Sequence, residues 1–213
     1  MSLVVVDYCR GNLFSLGEAL RHLNAAFSVS ADPAVIAAAT RLILPGVGAF
    51  GDCMQGLRDR GLIAPLNEAV RNNRTPFLGI CVGMQIMATS GEEFGDHDGL
   101  GFVGGKVRRL ASAGDQWGKL RVPNVGWRTL NPVRDDPVVG DIPNGTMTYF
   151  VHSYTFQPDE PTHVAAAFDF NGNKITAIVH DAHMLGFQFH PEKSGPAGLD
   201  LINRFLNMRS RAN

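Results

Sequence analysis

The sequence has no excess of charge of either sign and no apolar run long enough to cross a membrane as a helix. Its 213 residues include 19 Lys and Arg and 20 Asp and Glu, which gives a formal net charge of -1 at pH 7. A chain with this balance has no general attraction for nucleic acid or for an anionic membrane surface. We therefore expect neither of them as a partner.

Cysteine is also scarce, with three residues in the chain and no paired spacing between them. An odd, unpaired number argues against a disulfide framework and fits a reducing compartment. The first residues, MSLVVVDYC, lead directly into an apolar run and contain no positively charged leader. These features predict a cytoplasmic protein, and we expect it to need no metal and no cofactor.

The chain does contain an ordinary apolar fraction of 45%, enough for one sizeable core, and we expect a single domain over residues 1–213. Short β-branched runs alternate with helical patterns in the first half. This alternation predicts an α/β fold, with an open, mostly parallel, twisted sheet and helices on both faces. In the second half, strand-like runs predict antiparallel additions, with NGN at 171–173 as a hairpin tip and a closing helix over 198–208.

The most informative segment is TPFLGICVGMQIMATS, residues 75–90. Its pattern predicts a buried strand, a sharp turn at Cys81 and a helix over 82–90, with Gly79 and Gly83 on either side of the turn. Small neighbours are needed where a strained backbone brings adjacent chains close together. Free N–H groups at the start of the helix would favour a thiolate, as in the nucleophile elbow of hydrolases. The alternative is a buried cysteine that only fills space between packing glycines.

A second group of polar residues follows the late strand-like run MLGFQFH. His190 ends this run, Pro191 stops the strand pairing, and Glu192 can turn back towards the imidazole. A thiolate that attacks an amide needs a proton donor for the leaving amine, and a histidine oriented by a carboxylate supplies one. His190 and Glu192 are therefore candidate partners of Cys81.

The stretch LILPGVGAFGD contains three glycines in the spacing of a dinucleotide-binding turn, Gly46, Gly48 and Gly51. Three features weigh against NAD binding. The glycines follow the third strand and not the first, Pro45 removes an N–H donor, and Glu68 falls within a helical pattern and not at a strand end. This turn, Cys81 and His190 all follow strands, so they can meet at the carboxyl edge of one sheet. We interpret the glycines as part of an oxyanion-binding turn.

Together these residues resemble the class I glutamine amidotransferases, which have a flavodoxin-like core, and within that group the glutaminase subunit of imidazole glycerol phosphate synthase. The similarity covers nearly the whole chain and rests on DYCRGNLFSL, LPGVGAFGD, GICVGMQ, DGLGFVGGKVRRL, PNVGWRTL, YFVHSY and HPEKSG. The resemblance implies Cys81 as the nucleophile, His190 as the general base and acid, and Glu192 as the residue that orients the imidazole. It also implies an oxyanion hole made by the N–H groups of Val82 and, after a peptide rearrangement, Val47.

The same resemblance implies a substrate and a partner. L-Glutamine would be hydrolysed to L-glutamate and ammonia, and the ammonia would pass to a (β/α)8 cyclase subunit within a heterodimer of histidine biosynthesis. The residues implied in substrate binding are Gly46, Gln85, Glu93, Ser153 and Tyr154. Those implied at the partner interface, where ammonia leaves, are Trp127, Tyr149, His152 and Lys193.

Two positions depart from the family pattern. Cys9 stands where the opening motif usually has glycine, and Arg128 stands where asparagine usually follows the GW pair, close to the expected partner. These departures leave open a paralogous glutaminase subunit that supplies a different synthase, such as one in surface-sugar amidination. Two further alternatives are a cysteine peptidase or chaperone-like hydrolase built on the same turn, and a binding subunit without catalytic activity.

Overall fold

A computed structural model describes residues 2–111 and 121–208 of the chain. Within these residues, the largest sheet has eight strands, in the spatial order β2 (Phe27–Ser30), β1 (Leu3–Val6), β3 (Arg41–Gly46), β4 (Phe77–Cys81), β14 (Met184–Phe187), β13 (Asn173–Asp181), β12 (Val164–Phe170) and β9 (Asn131–Pro132). The first five strands of that order are parallel, and the others are antiparallel to their neighbours. The predicted α/β fold with a mostly parallel sheet is confirmed.

The parallel half of the sheet is buried on both faces. Every residue of β1, β3, β4 and β14 is buried, whereas the edge strand β2 is partly exposed. Strands that are covered on both sides must be apolar at consecutive positions, which explains runs such as LVVV and RLIL. The central strands therefore provide a rigid base whose carboxyl edge can carry a site.

Six α-helices lie in the described ranges: α1 (Leu13–His22), α2 (Pro33–Ala37), α3 (Phe50–Asp59), α4 (Ile63–Asn67), α5 (Val82–Gln85) and α6 (Gly195–Leu206). One π-helical turn, Glu68–Asn72, continues α4, and short 3-10 turns occupy Pro161–His163 and Pro191–Lys193. Helix α6 starts three residues earlier than predicted, because Pro196 is tolerated in the first turn of a helix. Its buried residues have the spacing of one helical face: Gly198, Leu201, Ile202 and Phe205.

Two smaller sheets contain the remaining described strands. One has the order β11 (Tyr154–Pro158), β7 (Gly105–Arg109), β5 (Ser90–Gly91) and β6 (His97–Asp98). The other is an antiparallel pair of β8 (Asn124–Thr129) and β10 (Met147–His152), hereafter the ribbon. The hairpin between β12 and β13 confirms the tip predicted at NGN, since Phe170 pairs with Asn173.

The strand-like run TMTYFVHSYTF is divided at Ser153 between two sheets. Strand β10 pairs with β8, and β11 pairs with β7. At the break, the Ser153 carbonyl accepts the Leu110 N–H at 2.8 Å, and Nδ1 of His152 lies 2.7 Å from the Tyr154 carbonyl oxygen. The pairing partner therefore changes at Ser153, and the strand paired with β7 begins at Tyr154.

The helix predicted over 82–90 is wrong in its length, because it ends at Gln85. The carbonyls of residues 86–88 accept N–H groups from residues 100–103 at 2.8–3.1 Å, so they are not available for further helical turns. The chain then enters β5. This competition comes from a distant loop, which a local pattern does not reveal.

The buried apolar side chains in the described parts of the chain form one hydrophobic cluster. The cluster supports the single-domain organisation over residues 1–213, which stays a prediction. None of the helices in residues 2–111 and 121–208 has the length and apolarity that a membrane span requires.

Candidate active site

Three neighbouring strands bring the predicted site residues to one edge of the large sheet. Strand β3 ends at Gly46 and β4 ends at Cys81, and these two residues are opposite each other in the parallel register. Strand β14 flanks β4 on its other side and ends at Phe187, three residues before His190. The carboxyl edge of a parallel sheet is where open α/β folds bind ligands. The predicted meeting of the glycine turn, the cysteine and the histidine is confirmed.

Cys81 occupies a sharp turn between β4 and α5. Its φ is 56° and its ψ is -113°, a conformation that residues other than glycine rarely adopt. A Cβ at Gly83 would lie 1.9 Å from the Leu44 carbonyl oxygen, and one at Gly79 would lie 2.6 Å from the Gly83 carbonyl oxygen. The glycines on both sides of the cysteine are therefore required by backbone contacts, as the sequence pattern predicts.

His190 is held between a carboxylate and the cysteine. Its Nδ1 lies 3.0 Å from Oε1 of Glu192, and Cys81 lies near enough to the imidazole in the same cavity wall to affect its pKa. A carboxylate only accepts, so Nδ1 carries a proton and Nε2 is left for the sulfur. The backbone around the ring is fixed as well, because the His190 N–H donates to the Tyr149 carbonyl at 2.9 Å and Ser194 Oγ donates to the His190 carbonyl at 2.6 Å.

The pKa of His190 reflects these contacts. Burial by itself lowers this pKa, but the neighbouring Cys81 and Glu192 side chains outweigh burial and raise it from 6.5 to about 10. The imidazole is therefore positively charged at neutral pH. A positive charge beside a sulfur is the environment in which a cysteine becomes nucleophilic.

Cys81 lies in the wall of a cavity of about 170 Å³. The residue is only 4% exposed, yet it borders this open space and is not enclosed in the packed core. Most of the residues that the resemblance implies share the wall with it: Val47, Val82, Gln85, Glu93, His152, Ser153, Tyr154 and His190. Gly46 and Glu192 lie just behind the wall, beside Val47 and His190.

Two buried glutamines lie side by side beneath the cysteine. Nε2 of Gln85 donates to the Tyr154 carbonyl at 3.0 Å and to Oε1 of Gln188 at 3.1 Å. Nε2 of Gln188 in turn lies 4.0 Å from the Cys81 sulfur. Gln188 is absent from the residues that sequence reasoning selects. The available signal is one polar residue within the apolar run GFQF.

Glu93 follows β5 and reaches the cavity from the side of α3. Its Oε2 accepts the N–H of Phe50, the first residue of α3, at 2.8 Å. Burial raises the pKa of Glu93, and the hydrogen bond from Phe50 acts in the opposite direction. The carboxylate is therefore held in place by a backbone donor while it faces the cavity, where an ammonium group can approach it.

The two N–H groups predicted to hold an oxyanion differ in their availability. Val82 is the first residue of α5, so its N–H has no acceptor within the helix. The Val47 N–H, by contrast, donates to the Arg10 carbonyl at 2.6 Å. Val47 can serve an oxyanion only if that hydrogen bond breaks and the peptide turns.

The residues predicted at a partner interface fall into two groups. Trp127 and Tyr149 are paired across the ribbon with ring centroids 5.8 Å apart, Trp127 is 46% exposed, and Lys193 is exposed. His152 is instead buried, with Nε2 at 2.9 Å from Nδ2 of Asn124 and Nδ1 turned to the Tyr154 carbonyl. Its ring lies in the cavity wall and not on the exposed face of the ribbon.

The family described as glutamine amidotransferase class-I matches this sequence over residues 4–208. The chain belongs to this family. The amidotransferase is 42% identical to the imidazole glycerol phosphate synthase subunit HisH of Rhodopseudomonas palustris, over 98% of this chain and 100% of that protein. It is 40% identical to the subunit of the same name from Syntrophotalea carbinolica, over 97% of this chain and 100% of that protein.

Solved structures with lower identity share the fold of this amidotransferase. A crystal structure described as a glutamine amidotransferase has a TM-score of 0.71 at 19% identity, over 95% of this chain and 96% of that chain. The structure of PurLQS from Thermotoga maritima has a TM-score of 0.68 at 19% identity, over 97% of each chain. At such identities the likeness concerns the fold alone.

The amidotransferase accommodates its unusual Cys9 by local contacts. Cys9 has a φ of 64°, which glycine adopts freely and other residues adopt only with strain. Its N–H donates to Oδ1 of Asp7 at 2.9 Å, and Nη2 of Arg60 lies 2.7 Å from its sulfur. None of these three residues lines the cavity that borders Cys81.

Proposed function

We propose that this amidotransferase is the glutaminase subunit of an imidazole glycerol phosphate synthase. It would hydrolyse L-glutamine to L-glutamate and ammonia and pass the ammonia to a (β/α)8 cyclase subunit, in a cytoplasmic heterodimer of histidine biosynthesis. The observation that carries the proposal is the imidazole of His190, which is hydrogen bonded to Glu192 and shares the wall of one cavity with Cys81. The full-length similarity to subunits named HisH supports the choice of synthase.

In the first half of the reaction, the sulfur of Cys81 attacks the side-chain carbonyl carbon of glutamine. The carbonyl oxygen becomes negative and accepts the Val82 N–H. The C–N bond then breaks, the imidazolium of His190 gives its proton to the leaving nitrogen, and ammonia departs. A γ-glutamyl thioester remains on Cys81.

In the second half, water attacks the thioester carbonyl and the C–S bond breaks. His190, now neutral, takes the proton of the attacking water, which restores the imidazolium beside the sulfur. Glu192 keeps Nδ1 protonated throughout and so presents Nε2 to the reacting atoms. The sum is glutamine and water giving glutamate and ammonia.

The cavity offers groups that suit the rest of the substrate. The Glu93 carboxylate would meet the α-ammonium group, and Gln85, which also lines the cavity, would contact the substrate. The Ser153–Tyr154 backbone borders the cavity where the sheets change, and its N–H groups would donate to the substrate. Gly46 would keep the oxyanion turn close to the cysteine, since a Cβ there would lie 2.5 Å from the Gly83 nitrogen.

One face of the ribbon supports the docking of a partner next to the cavity. Opposite residues of β8 and β10 place a row of partly exposed apolar side chains on this face: Val125, Trp127, Met147, Tyr149 and Val151. Contiguous apolar surface of this kind marks interaction sites. Val151 also borders the cavity, so a partner docked on this face would lie close to the place where ammonia is released.

The Val47 hydrogen bond predicts that the free subunit hydrolyses glutamine slowly and that binding of the partner increases the rate of hydrolysis. One oxyanion donor is worth about 10²–10³ in rate, and the Val47 N–H is held by Arg10. We expect glutamine hydrolysis to rise by about that factor when the cyclase and its acceptor substrate are added. Steady-state assays of glutamate formation, with and without the partner, measure this.

The idea that the Val47 N–H limits the free subunit is wrong if the free subunit hydrolyses glutamine fast and the partner does not change that rate. The identity of the partner is tested by affinity purification of the tagged protein from its native cell extract. Recovery of the histidine-pathway cyclase supports the proposal. Recovery of a different synthase instead identifies the protein as the paralogous subunit.

Glu192→Gln is expected to shift the alkaline limb of kcat/KM to lower pH by about one unit or more. Burial lowers the pKa of His190 and the Glu192 carboxylate helps to raise it, so loss of that charge lowers the pKa from about 10. Above the new pKa the imidazolium proton is lost, and the leaving nitrogen has no donor. The measurement is the pH profile of kcat/KM in the complex, and an unchanged alkaline limb contradicts the role given to Glu192.

A further inference from the structure

Arg128, the second departure from the family pattern, begins a chain of hydrogen bonds that runs inward from the ribbon. Its Nε donates to Oδ1 of Asn124 at 2.9 Å. Nδ2 of Asn124 lies 2.9 Å from Nε2 of His152, and Nδ1 of His152 lies 2.7 Å from the Tyr154 carbonyl oxygen. Asn124 and His152 are both buried, so their polar groups depend on these contacts.

The chemistry of each group fixes the direction of the chain. A carbonyl oxygen only accepts, so Nδ1 of His152 is the protonated nitrogen. Nε2 is then an acceptor and takes a proton from the amide of Asn124, whose oxygen is left to accept from Arg128. Burial lowers the pKa of His152 to about 4, which keeps the ring neutral and this arrangement intact at neutral pH.

This chain of hydrogen bonds ends at two groups of the proposed glutamine site, the Tyr154 carbonyl and the Gln85 amide. The Tyr154 carbonyl that accepts from His152 also accepts Nε2 of Gln85 at 3.0 Å. The same Nε2 donates to Gln188, which reaches towards the Cys81 sulfur. A displacement of the Tyr154 carbonyl would therefore move the amide of Gln85 and, through it, Gln188.

Arg128 reaches Asn124 along one side of β8. Residues 124, 126 and 128 alternate with the exposed positions of β8 and share its inner side. The guanidinium extends back along the strand past Gly126, where Nη1 also donates to the Trp127 carbonyl at 3.1 Å.

We propose that Arg128 is a positioning residue for glutamine, acting through Asn124 and His152 to hold the Tyr154 carbonyl and the amide of Gln85. This inference rests on the proposed function, because glutamine is the substrate that the Tyr154 carbonyl and the Gln85 amide would orient. It concerns a residue that lies on the ribbon and borders neither the cysteine nor the cavity. Its effect is therefore on the alignment of substrate and not on the reactivity of the sulfur.

Arg128→Met tests the proposal by separating these two properties in the free subunit. We measure the rate of Cys81 labelling by a diazoketone analogue of glutamine, which must bind in the cavity, and by iodoacetamide, which needs only the sulfur. Loss of a hydrogen bond from a charged group predicts about 10-fold slower labelling by the analogue at low concentration. Labelling by iodoacetamide should be unchanged. Arg128→Lys, which keeps the charge and one donor, should recover part of the loss.

Arg108→Met is the matched control, because Arg108 is an exposed strand arginine on β7. It should be labelled like the unaltered protein by both reagents. The proposal is overturned if Arg128→Met matches this control, or if both reagents slow equally, which indicates a purely structural effect. If the unaltered protein is labelled by iodoacetamide but not by the analogue, the proposed function itself fails.

A double-mutant cycle with Asn124→Leu tests whether Arg128 acts through its hydrogen bond to Asn124. Both substitutions interrupt the same path, so the double variant should lose little more analogue labelling than the more damaged single variant. Additive losses contradict the path through Asn124. Thermal unfolding of each variant identifies any that are not folded, and Arg128→Gln then replaces Arg128→Met in the comparison.

Discussion

The Cys81→Ala protein is expected to lose glutamine hydrolysis by a factor of about 10⁴ or more in the complex with its partner. The substitution removes the atom that forms the thioester, and no other thiol borders the described cavity. The oxyanion donor and the substrate contacts remain, so glutamine should still bind. Glutamate formation measures the loss, and calorimetric titration with glutamine measures the binding.

Cys9→Ala is the control for this experiment, because Cys9 is an exposed thiol on a different loop. It should retain hydrolysis at close to the original rate. If Cys81→Ala hydrolyses glutamine as fast as this control, the assignment of the nucleophile is wrong. Labelling by the glutamine analogue should likewise disappear in Cys81→Ala and persist in Cys9→Ala.

Gly83→Ala is expected to lower the free energy of unfolding by roughly 3 kcal/mol or more. The added Cβ would lie 1.9 Å from the Leu44 carbonyl oxygen, a backbone atom of a fully buried central strand. A flexible side chain could move aside, but this carbonyl is held in the sheet. Either β3 or α5 must shift, and the shift also displaces Cys81. Chemical denaturation of the free subunit measures the change.

Gly17→Ala supplies the matched comparison, because its Cβ would lie 3.4 Å from the ring of Phe27, which is an ordinary contact. Gly17 lies within α1, where alanine is a better helix former by about 1 kcal/mol, so this variant should be as stable as the original or more stable. Equal stability of the Gly83→Ala and Gly17→Ala proteins would show that the elbow tolerates a side chain. The short distance to the Leu44 carbonyl would then not be the reason for a glycine at position 83.

Much of the fold and the centre of the site could be predicted from local sequence patterns. The alternation of β-branched runs with helical runs predicts a parallel sheet because crossover helices must connect parallel strands. Residues that follow such strands meet at the carboxyl edge, so the sequence alone predicts that Gly46, Cys81 and His190 lie together. Glu192 could also be selected from its place after Pro191, although the strand ends earlier than predicted, at Phe187, and the 3-10 turn Pro191–Lys193 contains the carboxylate that reaches the imidazole.

The failures have a common cause in contacts between distant segments. The helix after Cys81 is shorter than its pattern indicates because residues 100–103 take the carbonyls it would have used. The run TMTYFVHSYTF is divided at Ser153 because β8 and β7 compete for its two halves. No periodicity within either segment contains that information.

The sequence by itself determined the order of the elements, the strained turn at Cys81 and the histidine and carboxylate that accompany it. These depend on periods, on small residues and on strand ends, all of which are local. Only the tertiary structure decided that Val47 donates to Arg10, that Gln188 lies beneath the sulfur, and that Arg128 connects through Asn124 and His152 to Tyr154. Such hydrogen bonds depend on distances of a few tenths of an ångström between residues far apart in the chain, and these distances exist only once the sheets have packed.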